Sequence, residues 1–411
     1  MKICLLTYEY PRSMADAIVS GEVKNSYHLS RGLVANGHEL TVVSVPFLTG
    51  SLKSAALRPG SDPPVYDVSE GRLRAIARYV LRIRTVEQFM TSQFRDRGFE
   101  VIHAESPALA AGAIRARRRN KLLAPTPIVT TAHGTSLPEL AANRMKLTVP
   151  EGLRTASGHL TLRIDRGAFG SSDAVIAASR YQESEMLSLY RVPPSKVEVI
   201  YNGVDLEHYR PDGPRSEFAA SRVAGPDPVV LFVGRLVPKK GLQHLIAAFP
   251  SILAMVPNAR CLVVGGSKVF DTFGAALREM AERAGIANRF VWLQDVPEME
   301  MPGVYRLANV AVFPSVNYES LPTVTLEAMA CGVPVVATDR WGTPEALGVD
   351  HPGLVPQGAP EELSRRVVAF LSQPELAAGV RRDQLRRIRS FGLDASVARH
   401  EELYKRVLAN R

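Results

Sequence analysis

The chain has 411 residues, 46% hydrophobic and 22% charged, which excludes a disordered or fibrous protein and predicts two domains of ordinary size. Its three cysteines, Cys4, Cys261 and Cys331, lack metal-ligand spacing and fall in apolar contexts, so they read as buried thiols in a reducing compartment. The net charge of +9 is localised: between Arg72 and Lys121 twelve Arg and Lys face only Glu87, Asp96, Glu100 and Glu105, so this segment carries +8.

Residues 1–205 read as alternating strands and helices, the pattern of a parallel, doubly wound α/β sheet whose ligands meet the carboxyl ends of the strands. Lys2 to Thr7 is the first strand, and its short apolar run does not make a signal peptide. With no run near the roughly 20 apolar residues that span a bilayer, the expected location is cytoplasmic. The loop Tyr8 to Ser20 is long for its place and ends at Gly21, at the start of a helix over Val23 to Asn36. A strand over Glu39 to Val45 follows. In the basic segment, Ile76, Val80, Ile83 and Val86 recur at helical spacing within Ala75 to Phe94, which predicts an inward apolar face and outward arginines. That outward face is either solvated or in contact with anionic lipid or an anionic acceptor. Aromatic residues there are few and no nucleic-acid-binding motif is present, so nucleic acid is not an expected partner. Further strands are expected at Val101 to His103, Ile128 to Ala132, Ala174 to Ala177 and Val197 to Ile200. His133, followed by Gly134, stands at the carboxyl rim of one of them. Leu137 to Phe169 reads as irregular, Ser179 as a helix cap, and Asn202-Gly203 as a turn. Residues 206–226 hold Pro211, Gly213, Pro214 and Gly225 and read as a linker.

The second domain, 227–390, opens with the apolar strand Val229 to Val233 and the turn Gly234-Arg235 to Lys240-Gly241, before a helix over Leu242 to Phe249. Arg235 and Lys240 can lean over one phosphate, although this is not a Walker loop. Strands at Cys261 to Val264 and Phe290 to Leu293 end in Gly265-Gly266 and Gln294-Asp295-Val296. The strand Val310 to Phe313 leads to Glu319, Ser320, Leu321, Pro322, Thr323 and Val324. Ser320 is the expected N-cap, and Glu327 lies about one turn into the helix. Free amides at that helix start attract a phosphate, while the flanking carboxylates suit the hydroxyls of sugars attached to it.

These motifs resemble the retaining glycosyltransferases of family four, in the GT-B superfold, over nearly the whole chain and most strongly over residues 229–345. The resemblance implies two Rossmann-like domains facing a central cleft, with a C-terminal helix (about 391–411) packed back onto the first. It implies that Arg235, Lys240 and the amides near Thr323 hold the diphosphate of a nucleotide-sugar donor. Glu319 would meet the transferred sugar, Glu327 the ribose, and the segment of Val296 the base. His133 would lie near the scissile bond, with Gly21, Asn202, Gly234 and Gly266 close to the donor. The implied reaction transfers a hexosyl-type sugar with retention to a hydroxyl acceptor, a glycan, a lipid-linked or a small glycoside, and the residue pattern implies no cofactor and no required metal. The alternatives are a sugar-nucleotide epimerase, a phosphorylase with Lys268 holding pyridoxal phosphate, or a basic binding protein with a degenerate sugar site.

Overall fold

In the first strand, β1 (Lys2–Thr7), Ile3 and Leu5 point to one face of a sheet and Cys4 and Leu6 to the other, and all four are fully buried. A strand apolar on both faces is the mark of a parallel sheet covered on both sides. The structure, a computed structural model, describes residues 1–11, 13–16, 20–45, 55–57, 62–68, 75–93, 98–133, 151–223, 225–266 and 271–410. The chain forms two compact units, one of residues 1–12, 22–203 and 393–411 and the other of 13–21 and 204–392.

In the first unit β1 is followed by α1 (Gly21–Ala35), β2 (Glu39–Ser44), β3 (Ala55–Leu57), β4 (Val65–Val68), α2 (Ala75–Gln93) and β5 (Val101–Ala104). Then come α3 (Pro107–Arg119), β6 (Ile128–Thr131), α4 (Glu151–Ser171), β7 (Ala174–Ala177), α5 (Arg180–Ser188) and β8 (Val197–Val199). The sheet runs β3-β4-β2-β1-β5-β6-β7-β8. It is parallel except where β3 pairs antiparallel with β4, an edge that the sequence reading did not contain. The order reverses between β1 and β5, so the loops after these strands border the crevice where such sheets bind ligands. Cys4 and Leu6 pack under α2 and α3 with Val86, Phe89 and Leu109. Ile3 and Leu5 pack against Val397, Leu403, Tyr404 and Val407 of the C-terminal helix Leu393–Ala409. Each such aliphatic side chain contributes about 1.5–3 kcal/mol by leaving water.

Two expectations need correction here. Leu137 to Phe169 is not irregular throughout: its second half is the helix α4, seated by the buried Ala168 and Phe169, while residues 134–150 lie outside the described residues. The arginines of α2 do not all face outward either. Arg82 is 4% exposed, with its guanidinium 4.5 Å from the centre of the Tyr8 ring, where a cation is attracted to the π-face. Arg72, Arg74, Arg95 and Arg97 lie outside the described residues.

The second unit contains α6 (Glu217–Val223), β9 (Val229–Val233), α7 (Leu242–Met255), β10 (Arg260–Val264), α8 (Asp271–Arg283) and β11 (Phe290–Leu293). It continues with α9 (Met301–Tyr305), β12 (Val310–Phe313), α10 (Thr323–Ala330), β13 (Val335–Thr338), α11 (Thr343–Leu347), β14 (Leu354–Val355), α12 (Pro360–Ser372) and α13 (Pro374–Arg387). Its sheet, β11-β10-β9-β12-β13-β14, is wholly parallel and reverses between β9 and β12. The helix α7 runs past Phe249 through Pro250 because Phe249 and Ile252 are both fully buried in the core beside β9 and β10. Packing here outweighs the roughly 3 kcal/mol that an interior proline costs.

Candidate active site

The loops leaving β9 and β12 start from neighbouring strands, and so they bring together residues about eighty positions apart. After β9 the chain makes a short 3-10 turn, Pro238–Lys240, and passes through Gly241 at φ 77°. A Cβ at Gly241 would stand 1.7 Å from the carbonyl oxygen of Pro314, so only glycine lets the two loops meet. Their backbones join where Val316 N donates to Lys239 O at 2.9 Å. Lys240 Nζ then donates to Glu319 Oε1 at 2.5 Å, and Ser315 Oγ donates to the same oxygen at 3.0 Å. Burial pushes the Glu319 carboxyl up, but the charges of Lys240 and Lys239 and the two hydrogen bonds outweigh it and hold the group below its ordinary value. Glu319 is therefore a fixed carboxylate. With the described residues, the half-buried Arg235 guanidinium makes no hydrogen bond or ion pair, which leaves it a cation fit for an anionic ligand.

The helix α10 begins at Thr323, with Pro322 in extended backbone (φ −72°, ψ 113°) as its cap residue and no side-chain cap. This corrects the assignment of Ser320. The Ser320 carbonyl is instead packed against Gly342, where a Cβ would come within 1.7 Å of it, and Gly342 N donates to Glu319 O at 3.1 Å. Thr323 and Val324 supply the first helical amides, and Leu321 and Pro322 are buried. Glu327 is 1% exposed and accepts from Tyr305 Oη at 2.8 Å. Tyr305 stacks edge-on with Tyr209, whose hydroxyl donates to Glu298. Burial and the Glu327 charge push the Tyr305 hydroxyl well above its ordinary value, so it stays a donor. Sequence reasoning missed Tyr305, since nothing in its spacing ties it to Glu327.

Gly234 and Gly266 end β9 and β10 on the same rim, and Val296 is 6% exposed beyond β11. Gly21 groups with the second unit, and a Cβ there would stand 3.0 Å from Thr323 Oγ1. Asn202 is 7% exposed, and Gly203 beside it lies against the backbone of Leu393, which makes this turn a seat for the C-terminal helix. Lys268 and Gly134 lie outside the described residues.

In the first unit His133 stands at the carboxyl rim beyond β6, its side chain 6% exposed, and its Nε2 donates to Glu105 Oε2. Glu105 is fully buried at the end of β5. Burial lowers the affinity of His133 for its proton, but the charge and hydrogen bond of Glu105, with Glu22 farther off, reverse this and leave its pKa raised. Burial likewise pushes the Glu105 carboxyl up, and His133, His103 and His400 together bring it below its ordinary value. Sequence reasoning counted Glu105 only in the net charge of the basic segment. The rule that selected His133, a polar residue at the carboxyl end of a central strand, would have selected Glu105 too.

All three cysteines are buried and free. Among the described residues no group of three or more His, Cys, Asp or Glu is placed to hold a metal ion, and no helix is long and apolar enough to cross a membrane.

The family described as Glycosyl transferases group 1 matches residues 215–384, and Glycosyltransferase Family 4 matches residues 20–208. A D-inositol 3-phosphate glycosyltransferase of Segniliparus rotundus is 33% identical over 61% of this chain, and the match spans only 54% of that relative's length. A GDP-mannose-dependent alpha-(1-6)-phosphatidylinositol monomannoside mannosyltransferase of Mycobacterium tuberculosis is 31% identical over 64% of this chain and 72% of the relative. Among solved structures, sucrose-phosphate synthase from Thermosynechococcus elongatus matches 100% of both chains with a TM-score of 0.79 and 21% identity. HepE of Anabaena, in complex with UDP and glucose, matches 98% of this chain and 99% of its own with a TM-score of 0.73 and 19% identity. These likenesses show the GT-B fold.

Proposed function

The chain belongs to glycosyltransferase family four, and from that premise we propose that it transfers a sugar, with retention, from a nucleotide-diphosphate sugar to a hydroxyl acceptor. The observation that carries this reading is the convergence of Arg235, Lys240, Glu319 and the first amides of α10 on the loops after two neighbouring strands. Arg235 and Lys240 would neutralise the diphosphate as negative charge builds on it, which is stabilisation of the transition state by preorganised charge. Two fixed cations can do the work of a divalent ion, so the proposed reaction needs none. Glu319, ionised and anchored by Ser315, would accept hydrogen bonds from sugar hydroxyls. Glu327, steadied by Tyr305, would do the same for the ribose.

In the proposed step the bond between the anomeric carbon and the diphosphate oxygen breaks. The acceptor oxygen bonds to the same face, and its proton passes to the leaving phosphate. Two of the relatives carry an inositol phosphate or a phosphatidylinositol mannoside in their names, so a phosphorylated polyol is the first acceptor to try and GDP-mannose the first donor. The exposed Arg84, Arg118 and Lys121 suit an anionic acceptor or a peripheral contact with anionic lipid.

The test is a hydrolysis screen without acceptor over guanosine, uridine, adenosine and thymidine diphosphate sugars, followed by acceptor trials with and without a chelator. Turnover of one donor in chelator, giving a product that keeps the donor's anomeric configuration by NMR, is expected. Turnover of none, or inversion, overturns the reading.

A further inference from the structure

The loop after β13 carries a residue that its turn disfavours. Thr343 N donates to Arg340 O at 3.2 Å and closes a four-residue turn, with Trp341 at φ 56° and Gly342 at φ −80°, ψ −3°. A left-handed residue followed by a right-handed one is the type II′ pattern, whose first central place is dominated by glycine. A bulky side chain there is an outlier, and such outliers gather at ligand sites, where the side chain's task offsets the misfit. Within the fold the indole has little to do. It is half-buried, and among the described residues it makes no hydrogen bond and no ring or cation contact. Trp292, the other tryptophan of the chain, packs on the apolar core beside α7 and α12, and Trp341 does not. Its position is beside the donor residues. Gly342 N donates to Glu319 O at 3.1 Å, and a Cβ on Gly342 would stand 1.7 Å from Ser320 O. The turn is thus fastened to the backbone of the loop that carries Glu319, on neighbouring parallel strands of the second unit.

We propose that Trp341 is a sugar-binding residue of the donor site: its indole covers the C–H face of the transferred sugar while Glu319 takes the hydroxyls. This rests on the reading of Glu319 as the residue that meets that sugar. The two side chains are complementary. A sugar ring has an apolar face of C–H bonds and an edge of hydroxyls. The indole offers a flat apolar surface and a single donor, and the carboxylate offers acceptors only. A nucleoside diphosphate without its sugar leaves the indole nothing to cover.

The decisive measurement is tryptophan fluorescence, because Trp292 and Trp341 are the chain's two tryptophans. In Trp292→Phe the emission comes from Trp341 alone. A nucleotide sugar that the native protein hydrolyses should shift or quench it, and the matching nucleoside diphosphate should do so far less. In Trp341→Gly the sugar-dependent change should be lost. Glycine suits this turn, so that variant should unfold at or above the native temperature. Its KM for donor hydrolysis should rise about three- to tenfold with kcat changed less, the result of losing an aromatic contact made equally in ground and transition states. A Trp341 emission that the donor leaves unmoved, or that the nucleoside diphosphate moves equally, overturns the proposal. So does an unchanged KM in Trp341→Gly, which with lowered stability would mark a purely structural tryptophan. Hydrolysis of no donor by the native protein would instead sink the glycosyl-transfer reading, and this assignment with it.

Discussion

In the second unit the ion pair of the site sits on loops and is partly open, with Lys240 20% and Glu319 12% exposed. In the first unit its counterpart is closed in, with His133 6% exposed and Glu105 not at all. A pair that keeps some access to water parts at less cost than one that keeps none. A closed pair has lost its hydration and cannot part without stranding a charge. The difference suits two tasks. Under the proposed function Lys240 and Glu319 would exchange each other for a ligand, whereas Glu105 and His133 would stay paired.

Removing one partner from each pair tests this contrast most severely. His133→Ala leaves Glu105 buried and unmatched, so thermal or urea unfolding should show a loss of about 3–5 kcal/mol, the usual result of breaking a buried pair. Lys240→Ala leaves Glu319 with some access to water and with the Ser315 hydrogen bond, so it should cost less stability than His133→Ala. On donor turnover the second change is the damaging one. Lys240→Ala and Glu319→Ala should each lower kcat about 100- to 1000-fold, the range for loss of one preorganised charge-stabilising group. Equal stability losses at the two sites would erase the comparison, and unchanged turnover would remove that residue from the site.

Acid separates the units next. The folded pKa of His103 lies near 4, below its unfolded value of 6.5, and that of His400 is lowered too. A histidine depressed by folding contributes stability that is present above the unfolded pKa and lost as pH falls through the folded one. Among the described residues of the second unit, His351 is also near 4, and burial lowers the half-buried His244 as well. Hydrogen exchange between pH 6.5 and pH 4 should therefore show amides of β5 and the C-terminal helix losing protection, and to a greater extent than those around β14. The Glu105–His133 pair has two edges. The raised His133 favours folding below its unfolded value and loses that contribution as pH rises, while the lowered Glu105 loses its own as pH falls. If β5 and β14 lost protection together, the paired histidines would not be what sets the first unit apart.

The same contrast explains what could be read from the sequence. Arg235 and Lys240, and likewise Glu319 and Glu327, lie within one loop-helix segment each, so spacing reports their chemistry directly. Adjacency of β9 and β12 then brings the segments together. Glu105, His133 and His400 come from three distant stretches, and only the sheet order and the returning C-terminal helix unite them. Short edge strands such as Ala55–Leu57 are too brief to show a period. The helix α4 was hidden by Gly152, Gly158, Gly167 and Gly170, which lower helix propensity. It exists because Ala168 and Phe169 find a core, and packing of that kind has no signature in local composition.

The smallest effect expected is at the basic surface of the first unit, and it sharpens the comparison from outside both sites. Arg117 is tied to Asp173 at 2.5 Å, and Arg115 and Arg119 face Glu87 at 3.9 and 2.5 Å. Much of the +8 is thus engaged within the fold, and Arg118 is one of the exposed cations that remain. Arg118→Glu should change stability by no more than about 0.5 kcal/mol, as surface substitutions do, and should leave donor hydrolysis without acceptor unchanged. If this face meets anionic lipid, each basic residue contributes about 1 kcal/mol. Sedimentation with anionic vesicles at low salt should then fall several-fold in the variant, while neutral vesicles retain neither protein. Equal sedimentation of both proteins would mean that these arginines are only solvated.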